Sequence, residues 1–154
     1  VLKLKIINMK NFIYVTLLLV LMGCTPKVQS IEYGVDHCEF CSMSIVDAKH
    51  ASQVVTSKGK NFKFDAIECM IQYMGKPESQ NTKFDFILVA DYLKPGELIP
   101  AQKAHYIVSK NIPSPMGAFL SATKTETDAL KLIDEFSGVI FTFDQIDFTK
   151  TEAK

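Results

Sequence analysis

The stretch "FKFDAIECMIQYMG", Phe62 to Gly75, changes its period part-way along. In "FKFD" apolar and polar residues alternate, as on a half-buried strand. From Ile67 the apolar positions become Ile67, Met70, Ile71 and Met74, spaced i, i+3, i+4, i+7 like one face of a helix, and Gly75 and Pro77 end the run. Asp65 followed three residues later by Glu68 predicts a reciprocal cap at the first turn. Cys69 falls beside the stripe, on the flank shared with Ala66 and Tyr73. A strand running directly into a helix is the unit from which the fold is read.

The neighbouring segments extend this unit in both directions. Upstream, "SMSIVDA" (42–48) and "ASQVVTS" (51–57) read as short strands, and "SKGKN" is the turn into "FKFD". Downstream, "TKFDFILVAD" reads as a strong strand whose run from Phe86 to Ala90 predicts burial on both faces. The second half repeats the order. "AHYIVSK" and "GAFLSAT" read as strands, "TETDALKLIDEFSG" as a helix with Thr125 as its cap and Gly138 as its stop, and "VIFTFDQI" as the closing strand. The expected fold class is therefore α+β, two strand-strand-helix-strand units in one compact domain, with Pro100, Pro113 and Pro115 placed between elements. A chain of 154 residues is long enough for one such core and too short for two comfortable ones.

Lys3, Lys5 and Lys10 precede the apolar run "FIYVTLLLVLMGC", which is shorter than the ~20 residues needed to span a bilayer and fits a secretory signal. Its end, "LMGC", places a small residue directly before Cys24. This predicts a signal peptide over 1–23, an acylated Cys24 with a polar tether over 24–30, and a folded domain over 31–154. Two acyl signals on one residue anchor far more firmly than one. The alternative is a signal anchor with an incidental cysteine. Removal of three lysines and no acid leaves 14 basic against 17 acidic groups, a mildly acidic exported domain. No Lys/Arg cluster alternates with aromatics as a nucleic-acid groove requires, so nucleic acid is not an expected partner.

With Cys24 acylated, Cys38, Cys41 and Cys69 are left for the domain. An odd count leaves at least one thiol free even if Cys38 and Cys41 pair. The segment "DHCEFCSM", Asp36 to Met43, precedes what reads as a strand, whereas a redox dithiol works best at a helix N-terminus. A thiol exchanger therefore fits poorly. Structural zinc lacks a second paired motif. Sulfur of two kinds at short range, in Cys38, Cys41, Met43, Cys69, Met70 and Met116, favours a soft monovalent metal, Cu(I). Met70 lies on the apolar stripe, where packing is its first explanation. Met43 alternates with Cys41 and would share its side of an extended chain. Of the histidines, only His37 stands as a reserve ligand. The carboxylates form no recognisable catalytic pair, and there is no Gly-rich phosphate loop.

Taken together, the lipobox, "CEFCSM", "FDAIECM", "VADYLKPGEL" and "SPMGAF" resemble the copper-binding lipoproteins of nitrous oxide reductase maturation, the NosL family. The resemblance is clearest from Cys38 to about Ala122. Where that family commonly has glycine before the first methionine, this chain has Ser42. The resemblance implies a non-enzymatic copper carrier on the periplasmic side of the cell envelope. It implies Cys41, Met43, Cys69, Met70 and Met116 as metal residues, Cys38 as a more variable thiol, and a membrane-associated maturation complex as the recipient of Cu(I). An extracytoplasmic thiol-disulfide oxidoreductase and a structural lipoprotein are the competing readings.

Overall fold

The computed structural model describes residues 25–146; the expected signal peptide over 1–23, Cys24 with its expected acylation, and the carboxy-terminal "DFTKTEAK" lie outside them. Strands β1 (Ser52–Thr56) and β2 (Asn61–Phe64) form an antiparallel hairpin with Ser52 opposite Phe64. Helix α1 (Ile67–Gly75) and the short α2 (Pro77–Gln80) lead to β3 (Phe84–Ala90), which returns beside β1, and β4 (Leu98–Pro100) closes the edge. The first sheet thus has the order β2-β1-β3-β4. Strands β5 (His105–Val108), β6 (Leu120–Thr123) and β7 (Val139–Thr142), with helix α3 (Glu126–Phe136) between the last two, make a second sheet in the order β6-β5-β7. The α+β architecture with one long helix and one sheet per half is as expected, with the short α2 and β4 added to the first half.

One core joins the halves. Ile67, Met70 and Ile71 of α1 are almost wholly buried, together with Val54, Phe64 and Val89 of the first sheet and Tyr106, Leu120 and Ala122 of the second. Each large apolar side chain so placed contributes about 2–3 kcal/mol of transfer free energy. The stripe read from the sequence is the face that binds the sheets together, and Cys69, on its flank, is fully buried with it. Thr125 caps α3 as expected, its Oγ accepting from the Asp128 amide at 3.2 Å. Gly138 follows that helix at φ +134, and a Cβ there would stand 2.5 Å from the Val108 carbonyl oxygen, so no other residue fits without moving β5.

Three local expectations are corrected. Residues 42–48 are not a strand. A single antiparallel bridge between His37 and Ser44 replaces it, because the chain reverses at Ser42, whose φ is +65. Asp65 does not cap α1; the N-cap position is Ala66, without a side-chain bond, and the Asp65 carboxylate turns back to accept the Val46 amide at 3.1 Å. Burial of β3 on both faces is confined to Leu88–Ala90, and Phe86 is exposed. Among the described residues no helix is long and apolar enough to cross a membrane.

Candidate metal centre

The segment from Asp36 to Val46 is a knuckle that folds two cysteines onto a third. The Cys38 amide donates to the Met43 carbonyl and the Ser42 amide to the Cys38 carbonyl, both at 2.8 Å, so the loop closes on itself in four residues. Such a reversal requires the left-handed backbone at Ser42, where an L-residue is held at a cost of about 1–2 kcal/mol. The knuckle is pinned to the first sheet by the Glu39 amide on the Lys63 carbonyl at 2.9 Å and by the Lys63–Asp36 ion pair at 2.6 Å. The buried Asp65, one residue beyond β2, clamps its far end at Val46. These contacts carry Cys38 and Cys41 to the first turn of α1, where Cys69 points inward.

The ligand atoms of Cys38, Cys41 and Cys69 all lie within 4.8 Å of one another. All three are free thiols. Their exposure is graded, with Cys69 and Cys38 buried at 0% and 2% and Cys41 half-buried at the surface. Their protonation is graded too. The Cys69 thiol donates to Cys38, and although burial works against it, the amides of Cys41, Asp65 and Phe40 also point at that sulfur and hold its pKa down to about 5. Cys69 is pushed well up by donating that hydrogen bond, by burial and by the neighbouring thiolate. Cys41 is raised chiefly by burial, with the Met43 amide in partial opposition. Burial likewise raises Asp65, against the Val46 and Asp47 amides, and the Cys38 thiolate adds to the effect. The hydrogen bonds favour a thiolate at Cys38 over one at Cys69, in a soft sulfur pocket open on the Cys41 side.

The methionines differ in burial. Met43 is 46% exposed and follows Cys41 by two residues at the rim. Met116 is partly buried against the core that contains Cys38 and Cys69. Met70 is fully buried on the apolar stripe, as packing predicts. His37 is exposed and is not part of the thiol cluster. His50 is a satisfied core histidine, Nδ1 on Asp47 at 2.7 Å and Nε2 on Ser121 at 3.1 Å.

Cys38, kept in the sequence as a possible metal or redox residue, lies in the cluster with Cys41 and Cys69. One feature escaped the sequence reading. Glu68, read as half of a capping pair, instead reaches the loop that carries Met116. Its Oε1 accepts from the Ser114 hydroxyl and from the Ala118 amide at 3.4 Å, while the Phe119 amide donates to Ser114 Oγ at 2.9 Å. Its Oε2 is buried without a partner among the described residues. The residue before Cys69 is thus the latch for the Met116 loop. The signal available in the sequence was a carboxylate flanked by Ile67 and Cys69 in an apolar helix, too buried for a surface cap.

Comparison with known proteins places this site in context. The NosL family profile matches residues 31–150. The fold is similar to the crystal structure of the copper chaperone NosL from Shewanella denitrificans, with a TM-score of 0.69 at 21% identity over 80% of this chain and 97% of that one. No curated protein matches the chain. With most of its length inside the family profile, the chain belongs to the NosL family.

Proposed function

We propose that the protein is a membrane-anchored Cu(I) chaperone that carries copper as cargo and delivers it for assembly of the nitrous oxide reductase copper centres. The observation that carries this reading is the convergence of Cys38, Cys41 and Cys69 within 4.8 Å, buried on one side and accessible on the other. Thiolates and thioethers are soft donors that suit Cu(I) over the hard ions taken by carboxylate sites. A buried pair with a half-exposed third thiol fits transfer: an incoming ligand reaches the metal from the Cys41 and Met43 side while Cys38 and Cys69 still hold it. Met43 and Met116 are the flanking thioethers, and Met70 packs the core beneath. Family membership and the copper-chaperone title of the solved relative support the cargo. The role is binding and handover, without a catalysed reaction. The recipient, a membrane-associated maturation complex, follows from the family resemblance, and the extracytoplasmic membrane location from the signal and lipobox ending at Cys24.

The test is competition for Cu(I) between the reduced protein and a chelator, with copper X-ray absorption on wild type, Cys38→Ser, Cys41→Ser, Cys69→Ser, Met43→Leu and Met116→Leu. Uptake at a defined ratio, with sulfur scattering and affinity lost in the cysteine variants, is the expected result. Unchanged coordination and affinity in every variant would remove the site. Efficient disulfide exchange without stoichiometric copper would favour an oxidoreductase instead. Cys24→Ala is expected to release the protein from membranes with its copper affinity intact.

A further inference from the structure

At the carboxy-terminal end of α1 lies a second concavity, about 700 Å³, whose lining includes Lys58, Lys60, Lys76 and Lys83 over Phe62 and Tyr73. Three separate pieces of chain build it. The β1–β2 turn supplies Lys58 and Lys60, the end of α1 supplies Tyr73 and Lys76, and the residue before β3 supplies Lys83, held beside the turn by the Ser57 amide on its carbonyl at 3.0 Å. One acidic residue, Glu78, lines the same groove, and none of the four lysines forms an ion pair among the described residues. Two of the ammonium groups are placed by aromatic faces instead: Lys60 Nζ lies 4.4 Å from the Phe62 ring centroid and Lys76 Nζ 4.8 Å from that of Phe40. Cation–π contacts hold the charge in place without neutralising it. In a domain that is acidic as a whole, this local excess of positive charge calls for an anionic ligand, and the aromatic floor suits one with apolar parts.

The tether identifies the source. Pro26 Cα lies 3.9 Å from the position of a Cβ on Gly59, Gln29 donates its amide to Asn61 Oδ1 at 3.0 Å, and Asn61 Nδ2 donates to the Lys27 carbonyl at 3.0 Å. Residues 26–29 therefore run along the same β1–β2 turn that carries Lys58 and Lys60. Cys24 stands two positions before Pro26 in the sequence. An acylated Cys24 would bring phospholipid headgroups to the side of the domain where these lysines stand. We propose that the lysine-lined groove docks anionic phospholipid headgroups of the anchoring membrane, so that the domain sits on the bilayer in one orientation rather than swinging on its tether. This rests on the anchor reading above for the source of the headgroups. Lys76 Nζ sits on the ring of Phe40, between Cys38 and Cys41, so the groove borders the loop that carries two of the thiols. Docking would fix which way that loop faces relative to the bilayer, for a membrane-associated recipient.

The experiment is amine acetylation, read lysine by lysine, of the processed protein mixed with vesicles of phosphatidylcholine alone, of phosphatidylcholine with phosphatidylglycerol, or of phosphatidylcholine with added inorganic phosphate. Lys58, Lys60, Lys76 and Lys83 are expected to react about five-fold more slowly on the anionic vesicles only. High salt should restore their reactivity, and Lys103, outside the groove, should be unchanged. In the variant Lys58→Glu/Lys60→Glu/Lys83→Glu, Lys76 should lose its protection while Cu(I) uptake stays at the wild-type level. Equal reactivity on all three preparations, or protection of Lys76 that survives in the triple variant, would overturn the proposal. Equal protection by inorganic phosphate would assign the groove to a soluble anion and overturn membrane docking. Sedimentation with the neutral vesicles reports the anchor separately. A protein that fails to sediment there lacks the anchor, and its lysine protection on added anionic vesicles still decides the groove.

Discussion

Replacing Cys38 with serine tests whether the cluster stores a thiolate before copper arrives. In the folded protein the Cys38 pKa is about 5 against an ordinary 9.0. A depressed pKa contributes stability that is fully present above the unfolded value and is lost as pH falls through the folded one. Between pH 7 and pH 5 the unfolded chain holds one more proton at this site than the native state over most of the range. Integrating that difference gives a loss of about 2 kcal/mol on acidification. Cys69 is shifted the other way, so its contribution is constant in this window and declines only above about pH 9. Urea denaturation of reduced, copper-free protein with and without Cys38→Ser at pH 5 and pH 7, each in an Asp65→Asn background, isolates the effect, because the Cys38 thiolate also raises the Asp65 carboxyl. The protein that keeps Cys38 is expected to gain about 2 kcal/mol more than the one with Cys38→Ser between the two pH values. Parallel pH profiles would refute the thiolate, and with it the view that Cys69 and the knuckle amides prepare the sulfur for the metal.

Three further outcomes follow from the same geometry. Ser42→Gly removes the left-handed strain of the knuckle at some cost in unfolded-chain entropy, and is expected to raise the urea midpoint by up to about 1 kcal/mol of stability; a lower midpoint would show that the serine side chain contributes something glycine cannot. Glu68→Ala removes the acceptor of the Ser114 hydroxyl, with an expected loss of about 2–3 kcal/mol and a displaced Met116 methyl resonance, whereas Glu68→Gln, which retains the acceptor, is expected to lose less. Met70→Leu, close to volume-conserving in the core, is expected to cost under about 1.5 kcal/mol and leave Cu(I) uptake unchanged; lost uptake would make Met70 a ligand after all.

The parts of the fold legible in the sequence are those fixed by local period. Ile67, Met70 and Ile71 recur at helical spacing because one face of α1 meets both sheets, and the alternation in "FKFD" marks a hairpin strand with one face buried. The knuckle was not legible by the same means. Residues 42–45 alternate polar and apolar like a strand, yet the reversal depends on Ser42 occupying a conformation that glycine would have announced and serine does not. Asp65 and Glu68 show the same limit in another form. Their spacing satisfies a capping box, but each finds a long-range partner, the Val46 amide for one and the Ser114 hydroxyl for the other, that wins over the local bond. Tertiary contacts between residues 19 and 46 positions apart leave no periodic trace.

That same pair of carboxylates connects the fold to its chemistry. Asp65 and Glu68 flank Ala66 and Ile67 at the start of α1, and they reach in different directions, Asp65 to the loop of Cys38, Cys41 and Met43 and Glu68 to the loop of Met116. Cys69 follows directly, so the start of one helix is tied both to the loop of Cys38, Cys41 and Met43 and to the loop of Met116. The helix is held by the core stripe, worth several kcal/mol, while a buried carboxylate ties each loop to its start, the knuckle being pinned to the first sheet as well. Such a division gives a rigid inner thiol with outer ligands attached by individually breakable contacts. On the proposed chaperone reading, such a division would let the site open on the Met116 or Met43 side without disturbing the core, which is the mechanical requirement for releasing a soft metal.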